Sequence, residues 1–147
     1  MKKPIEKTPY MFVYGTLMSG FSNNKMVDMQ LSNNKLVDRG TTEEEYTLAV
    51  TSLPFPFLME EDGNNYVSGE IYKVDEKTLN AIDQLEGHPE WYERKVVSIV
   101  TELGDKLKAW AYFMPKSKLI DTVKVLESGN WREYIEMKEV ISEVTWK

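Results

Sequence analysis

The residues best placed to do chemistry lie in the stretch Ile82-Asp83-Gln84-Leu85-Glu86-Gly87-His88-Pro89-Glu90-Trp91-Tyr92-Glu93-Arg94. Asp75 precedes it as a good helix N-cap, after the apolar run Ile71-Tyr72-Lys73-Val74. Leu79, Ile82 and Glu86 then fall at i, i+3 and i+7, which is one helical face, with Leu85 close beside it. Gly87 is a natural residue for ending a helix in the left-handed conformation, and Pro89 prevents the helix from resuming. The pattern predicts a helix from about Asp75 to Glu86. Glu86 therefore stands where the face calls for an apolar side chain, in the last helical turn. The negative end of the helix dipole opposes its charge, and partial burial raises a carboxyl pKa further. A carboxyl with a raised pKa is what a general acid/base needs. Two plainer arrangements satisfy the same spacing: Glu86 rotated to solvent, or Glu86 paired with Arg94.

A second candidate is the loop after the first apolar run. Tyr10-Met11-Phe12-Val13-Tyr14 reads as a strand buried on both faces, and it runs into Gly15-Thr16-Leu17-Met18-Ser19-Gly20. Such a loop presents backbone N–H groups that can cradle an anion or a carbonyl oxygen. A plain strand-to-loop turn has the same composition.

Other chemistries are excluded by what the chain lacks. It has no cysteine, which removes disulfides, thiolate metal sites and thiol nucleophiles, and His88 is its one histidine. No DxDxDG calcium loop, dinucleotide fingerprint, P-loop or GxSxG elbow is present. The net charge of −6 argues against nucleic acid and anionic membrane surfaces as partners. No apolar run approaches about 18 residues and the N-terminus has no apolar signal region, so a cytoplasmic location is expected. A length of 147 residues suits one domain, with a core over about 10–115 and a helical extension over about 116–147.

The elements that must position these residues follow in order. Phe21 to Gln30 reads as a short helix capped by Ser22. Leu36–Gly40 and Tyr46–Val50 read as strands. Leu53–Leu58 carries two prolines, which confine it to an edge or an irregular crossing, with Phe55 and Phe57 as core residues. Asp62-Gly63-Asn64-Asn65 signals a hairpin turn. Tyr66–Val74 is the next strand, and its Gly69 marks a bulge or a close approach to the backbone. After the helix, Glu93–Glu102 and Leu107–Phe113 are strands joined at Gly104-Asp105. Ile120–Leu126 reads as a short helix, Asn130 caps another over Trp131–Ile135, and the tail after Met137 is a surface strand or helix. Six or seven short strands with two to four helices, without regular βα alternation, define an α+β fold with a curled or closed antiparallel-rich sheet.

Two motifs then coincide: Val13-Tyr14-Gly15-Thr16-Leu17, with Gly20 and Asn23-Asn24 after it, and Asp83-x-x-Glu86-Gly87-x-Pro89-x-x-Tyr92-x-Arg94. Together they resemble the gamma-glutamylcyclotransferase-like family, in its gamma-glutamylamine cyclotransferase and AIG2-like branch. Trp110-Ala111-Tyr112-Phe113 resembles the family's closing strand and Ser128-Gly129-Asn130-Trp131 its small C-terminal element. The resemblance implies a small β-barrel flanked by helices, with a pocket at the barrel mouth and no cofactor. It implies release of 5-oxoproline and a free amine from a γ-glutamyl compound, by attack of the substrate's own α-amine on its γ-carbonyl. In that reaction Glu86 matches the catalytic acid/base. Tyr14, Gly15, Thr16 and Leu17 match the substrate-holding loop, and Tyr92 and Tyr112 would line the pocket. Asp83 would be exposed or structural, and Arg94 an ion-pair partner. Asn23-Asn24 stands where many members carry Asn-His, and Leu53–Met59 is a candidate for the leaving-group side. The competing readings are the same fold acting on another small amide or amine, and a non-catalytic small-molecule binder. Trp91, Trp131 and Trp146 read as exposed aromatics.

Overall fold

The computed structural model describes residues 8–15, 17–18, 35–51, 55–61, 63, 65–88, 92–115 and 124–145. Thr16, the helix expected over 21–30 with Asn23 and Asn24, Leu53, Trp91 and Trp146 lie outside them.

Five strands close into a barrel. They are β1 (Tyr10–Val13), β2 (Lys35–Thr42), β5 (Ser68–Lys73), β6 (Glu93–Thr101) and β7 (Lys106–Phe113), in the order β1-β5-β2-β6-β7. The neighbours pair antiparallel, and a parallel contact between β1 and β7 at Met11↔Trp110 shuts the ring. Met11, Phe12 and Val13 are all buried, which explains why β1 is apolar on both faces rather than alternating. A second sheet of order β4-β3-β8 is formed by β3 (Thr47–Val50), β4 (Phe57–Met59) and β8 (Lys124–Val125). The fold is the expected α+β barrel flanked by helices: α1 (Glu76–Glu86) and α2 (Trp131–Thr145).

The 53–58 stretch, expected at an edge or an irregular crossing, enters the small sheet only as its edge strand β4, which begins directly after Pro56. Gly69 lies at the barrel's tightest crossing. A Cβ there would stand 2.3 Å from the Val13 carbonyl oxygen and 2.8 Å from the Phe12 ring. The interior glycine of this strand thus marks an approach of β1 to the backbone.

Three expectations are corrected. Lys124–Val125, inside the stretch read as a short helix, is a strand that pairs with Ala49 and Val50, and the Leu126 amide donates to the Leu48 carbonyl. A short apolar run carries both patterns, and here an unpaired edge of β3 decides for strand. The helix after Asn130 does not stop at Ile135 but continues through Thr145. Asn130 does cap it, its side-chain oxygen accepting from the Glu133 amide at 3.0 Å. Trp131 is not exposed: it belongs to the core and packs on Tyr134 with ring centroids 5.5 Å apart.

Gly69→Ala should cost about 1–3 kcal/mol of unfolding free energy or more, because the added methyl must displace backbone rather than a pliable side chain. Urea unfolding followed by tryptophan fluorescence measures it; an unchanged midpoint would show that β1 can move aside.

Candidate active site

Helix α1 brings Glu86 to the site and both its ends are fixed. Asp75 Oδ1 accepts from the Thr78 amide and the Thr78 hydroxyl, each at 2.8 Å. Thr78 and Ile82 are buried against the barrel. At the other end Gly87 adopts φ 66°, and the His88 amide donates to the Asp83 carbonyl at 2.9 Å. The chain then returns past its own helix end, the Tyr92 amide donating to the Glu86 carbonyl at 3.2 Å. His88 Nδ1 accepts from the Arg94 amide at 3.0 Å, so the histidine fastens the turn and is no catalytic base.

Glu86 lines a cavity of about 210 Å3 at the barrel mouth. Tyr14, Gly15, Leu17, Tyr92 and Tyr112 line the same cavity, so every described residue expected there from the sequence is brought together. Phe12, Phe55, Pro56 and Leu85 complete much of the wall. The loop after β1 turns tightly, with the Met18 amide donating to the Gly15 carbonyl at 3.0 Å. Gly15 is pressed against Pro56, whose ring carbons would lie 2.9 Å from a Cβ. No side chain separates the loop from the residue facing it.

The electrostatics single out one group. The Glu86 carboxyl is pushed up from its ordinary 4.5 to about 7 by burial, and no hydrogen bond or cation among the described residues offsets it. Neither plainer arrangement of Glu86 occurs. Arg94 turns instead to Asp83, with Nη1 3.4 Å from Oδ2, and its guanidinium lies over the Trp110 ring at 4.4 Å. Tyr14, Tyr92 and Tyr112 are raised above the ordinary phenol range chiefly by burial, so all three hydroxyls stay protonated. The Tyr14 hydroxyl donates to the Tyr112 carbonyl at 2.6 Å, and the Tyr112 hydroxyl donates to Asp83 Oδ1 at 2.5 Å. Among the described residues no group of three or more Asp, Glu or His side chains is placed to hold a metal ion. No helix among them is long and apolar enough to cross a membrane.

Two parts of the site escaped the sequence reading. Phe55 was expected in the core with Phe57; Phe57 is fully buried, but Phe55 is half-buried and lines the cavity. The signal was present in Pro54 and Pro56, which keep Phe55 out of the sheet and leave it on a loop. Asp83 was read as exposed or structural and Arg94 as an ion-pair partner; the two pair with each other, and the tie from Asp83 to Tyr112 was not foreseen. Nothing in its spacing distinguishes it from a solvated helix carboxylate.

A cavity lined by Glu86 and by the Tyr14–Gly15 loop, beside a closed five-stranded barrel, is the candidate site of this fold. The model of the family "Gamma-glutamyl cyclotransferase, AIG2-like" matches residues 11–133, and the chain belongs to that family. A Methanocaldococcus jannaschii protein provisionally named a gamma-glutamylcyclotransferase is 42% identical over 125 residues, covering 85% of this chain and 97% of that one. The Rattus norvegicus gamma-glutamylaminecyclotransferase is 37% identical over 93 residues, 61% of this chain and 62% of its own. The crystal structure of an AIG2-like protein from Mus musculus superposes with a TM-score of 0.67 at 30% identity, covering 79% of this chain and 85% of that one.

The raised carboxyl has a consequence for stability. In the unfolded chain Glu86 ionises near 4.5, in the folded one near 7. Below 4.5 both states are protonated and burial is uncharged; as pH rises from 4.5 through 7 the folded state comes to carry a penalty on the order of 3 kcal/mol. Glu86→Gln should therefore melt several degrees above wild type at pH 8, at about 2–4 °C for each kcal/mol, and the gap should close as pH falls to 4.5. Thermal melts across pH 4–8 check this; a gap independent of pH would mean that the carboxyl is not titrating in a buried site.

Proposed function

We propose that this protein is a gamma-glutamyl cyclotransferase that releases 5-oxoproline and a free amine from a γ-glutamyl amine or amino acid. The observation that carries the reading is the Glu86 carboxyl, raised to about 7 and without a cationic partner among the described residues, in a cavity walled largely by aromatic rings. A base working near neutral pH needs such a pKa. The substrate's α-ammonium gives a proton to Glu86. The freed amine attacks the γ-carbonyl; Glu86 passes its proton to the γ-nitrogen as the C–N bond to it breaks, then takes the second proton from the new ring nitrogen to leave the neutral five-membered lactam, and that proton goes to the released amine.

Backbone N–H groups of the Tyr14–Leu17 loop hold the substrate's oxygens, including the one that gains charge during attack. The attack is intramolecular, so much of the barrier is met by holding the substrate folded on itself. The reaction draws on no cofactor. The cavity is smaller than the roughly 300–1,000 Å3 that encloses a drug-sized ligand, so it takes the γ-glutamyl head and leaves the departing amine at the mouth, beside Phe55 and Pro56. The relatives' names support the same substrate class, γ-glutamylamines among them.

Wild-type protein incubated with a panel of γ-glutamyl amines and amino acids should release 5-oxoproline from at least one. Glu86→Gln should lose on the order of 10²-fold or more. The kcat/KM profile should rise as pH passes about 7, where Glu86 loses its proton. Turnover that survives the substitution removes Glu86 from the mechanism. Absence of turnover across the panel, in folded protein, sinks the assignment.

A further inference from the structure

The three tyrosines of the cavity share one property: each commits its hydroxyl proton to an acceptor other than Glu86. Tyr14 donates to the Tyr112 carbonyl at 2.6 Å, Tyr92 to the Pro56 carbonyl at 3.4 Å, and Tyr112 to Asp83 Oδ1 at 2.5 Å. Carbonyls and an ionised carboxylate have no proton to give, so the direction of each bond is fixed by chemistry. Two of these acceptors are backbone. The third is a side chain, and it is braced from behind: Asp83 Oδ2 lies 3.4 Å from Arg94 Nη1, and Arg94 lies flat over Trp110 at 4.4 Å. Both members of the ion pair are largely shielded, with side-chain exposures of 18% and 16%. Facing Arg94 on one oxygen and the Tyr112 hydroxyl on the other, the Asp83 carboxyl is the acceptor in both contacts.

We propose that Asp83 is a positioning residue: by taking the Tyr112 proton it leaves that hydroxyl as an acceptor toward the cavity, so that Tyr112 and Glu86 together form a subsite for a primary ammonium group. An ammonium offers three N–H donors and no lone pair. It is repelled by any hydroxyl whose proton points inward. Glu86 and the three tyrosines line one cavity. The cavity's side-chain polarity is then acceptor-only, and donors for the substrate's oxygens are left to the backbone of the glycine loop. This inference rests on the reading above that Glu86 meets the substrate's amine, and adds what recognises that amine before any proton moves.

The test uses two ligands that cannot cyclise. One is the N-methyl sulfonamide of L-homocysteic acid, with the α-ammonium in place and sulfur where the γ-carbonyl carbon would be. The other is its des-amino counterpart, 4-(N-methylsulfamoyl)butanoate. Binding is measured calorimetrically at pH 8 for wild type, Asp83→Asn and Tyr112→Phe. In Asp83→Asn the amide oxygen goes to Arg94 and the amide N–H faces Tyr112, so the phenol proton must turn into the cavity. Tyr112→Phe removes the hydroxyl and keeps the ring. Wild type should prefer the ammonium ligand. That preference should fall about tenfold or more in both variants, the size expected for a hydrogen bond to a charged group, while the des-amino ligand binds as before. Equal weakening of both ligands would reveal a merely structural role and overturn the proposal. So would an unchanged preference in both variants, no preference in wild type, or binding of neither ligand by folded wild type. Preference lost as expected, with no 5-oxoproline formed from any γ-glutamyl compound, removes the reaction and leaves the role of Asp83. Turnover with an unchanged preference does the reverse.

Discussion

The burial of one carboxyl without a counter-charge governs the design of this molecule. A lone carboxylate inside a protein is costly and usually finds a cation or a set of N–H donors. Glu86 has neither among the described residues, and Arg94 turns to Asp83 instead. The arrangement separates two carboxylates on one helix end into different environments. Asp83 is paired with Arg94 and Tyr112, whereas burial raises the Glu86 carboxyl to about 7. Two like groups three residues apart thereby stand in different surroundings, the one holding partners in place and the other left to face the cavity.

Keeping Glu86 isolated requires rigidity around it. The turn after α1 is fastened at three points: the αL glycine, the His88 ring on the Arg94 amide, and the Tyr92 amide on the Glu86 carbonyl. The rings behind them lock further, with Phe57 stacked near Tyr92 at 5.9 Å and Tyr92 edge-on to Tyr112 at 6.4 Å. The hydroxyls of Tyr14, Tyr92 and Tyr112 are thus engaged elsewhere before a ligand arrives. This is preorganisation by prior commitment, and it leaves Glu86 as the unsatisfied group in the pocket.

Much of this was legible in the sequence because it depends on local rules. The cap at Asp75, the face running through Leu79, Ile82 and Glu86, and the stop at Gly87 are matters of spacing and backbone preference, and they placed the carboxyl correctly. The doubly apolar strand at Met11–Val13 and the glycine of β5 likewise announced a closed, crowded barrel. What was hidden depends on partners far apart in the chain. Lys124–Val125 became a strand because β3 offered an edge, and Trp131 was drawn inward by a core that its polar neighbours do not reveal. The tie from Tyr112 to Asp83 spans 29 residues and joins a strand to a helix, so no window of sequence contains it. The separation of Phe55 from Phe57 into wall and core follows from tertiary placement that two flanking prolines permit but do not specify.

The parallel seam at Met11↔Trp110 has a consequence for how the protein comes into being. The bond from Tyr14 to Tyr112 lies close to it and closes a loop of 98 residues, one of the longest-range contacts in the chain. Contacts of that separation are late in folding, because the entropy of the intervening loop must be lost before they form. During synthesis the first strand waits, unpaired on one side, until β7 has left the ribosome. The cavity is made when the seam closes, from residues on both sides of it. A chain whose barrel is still open therefore lacks one wall of the cavity.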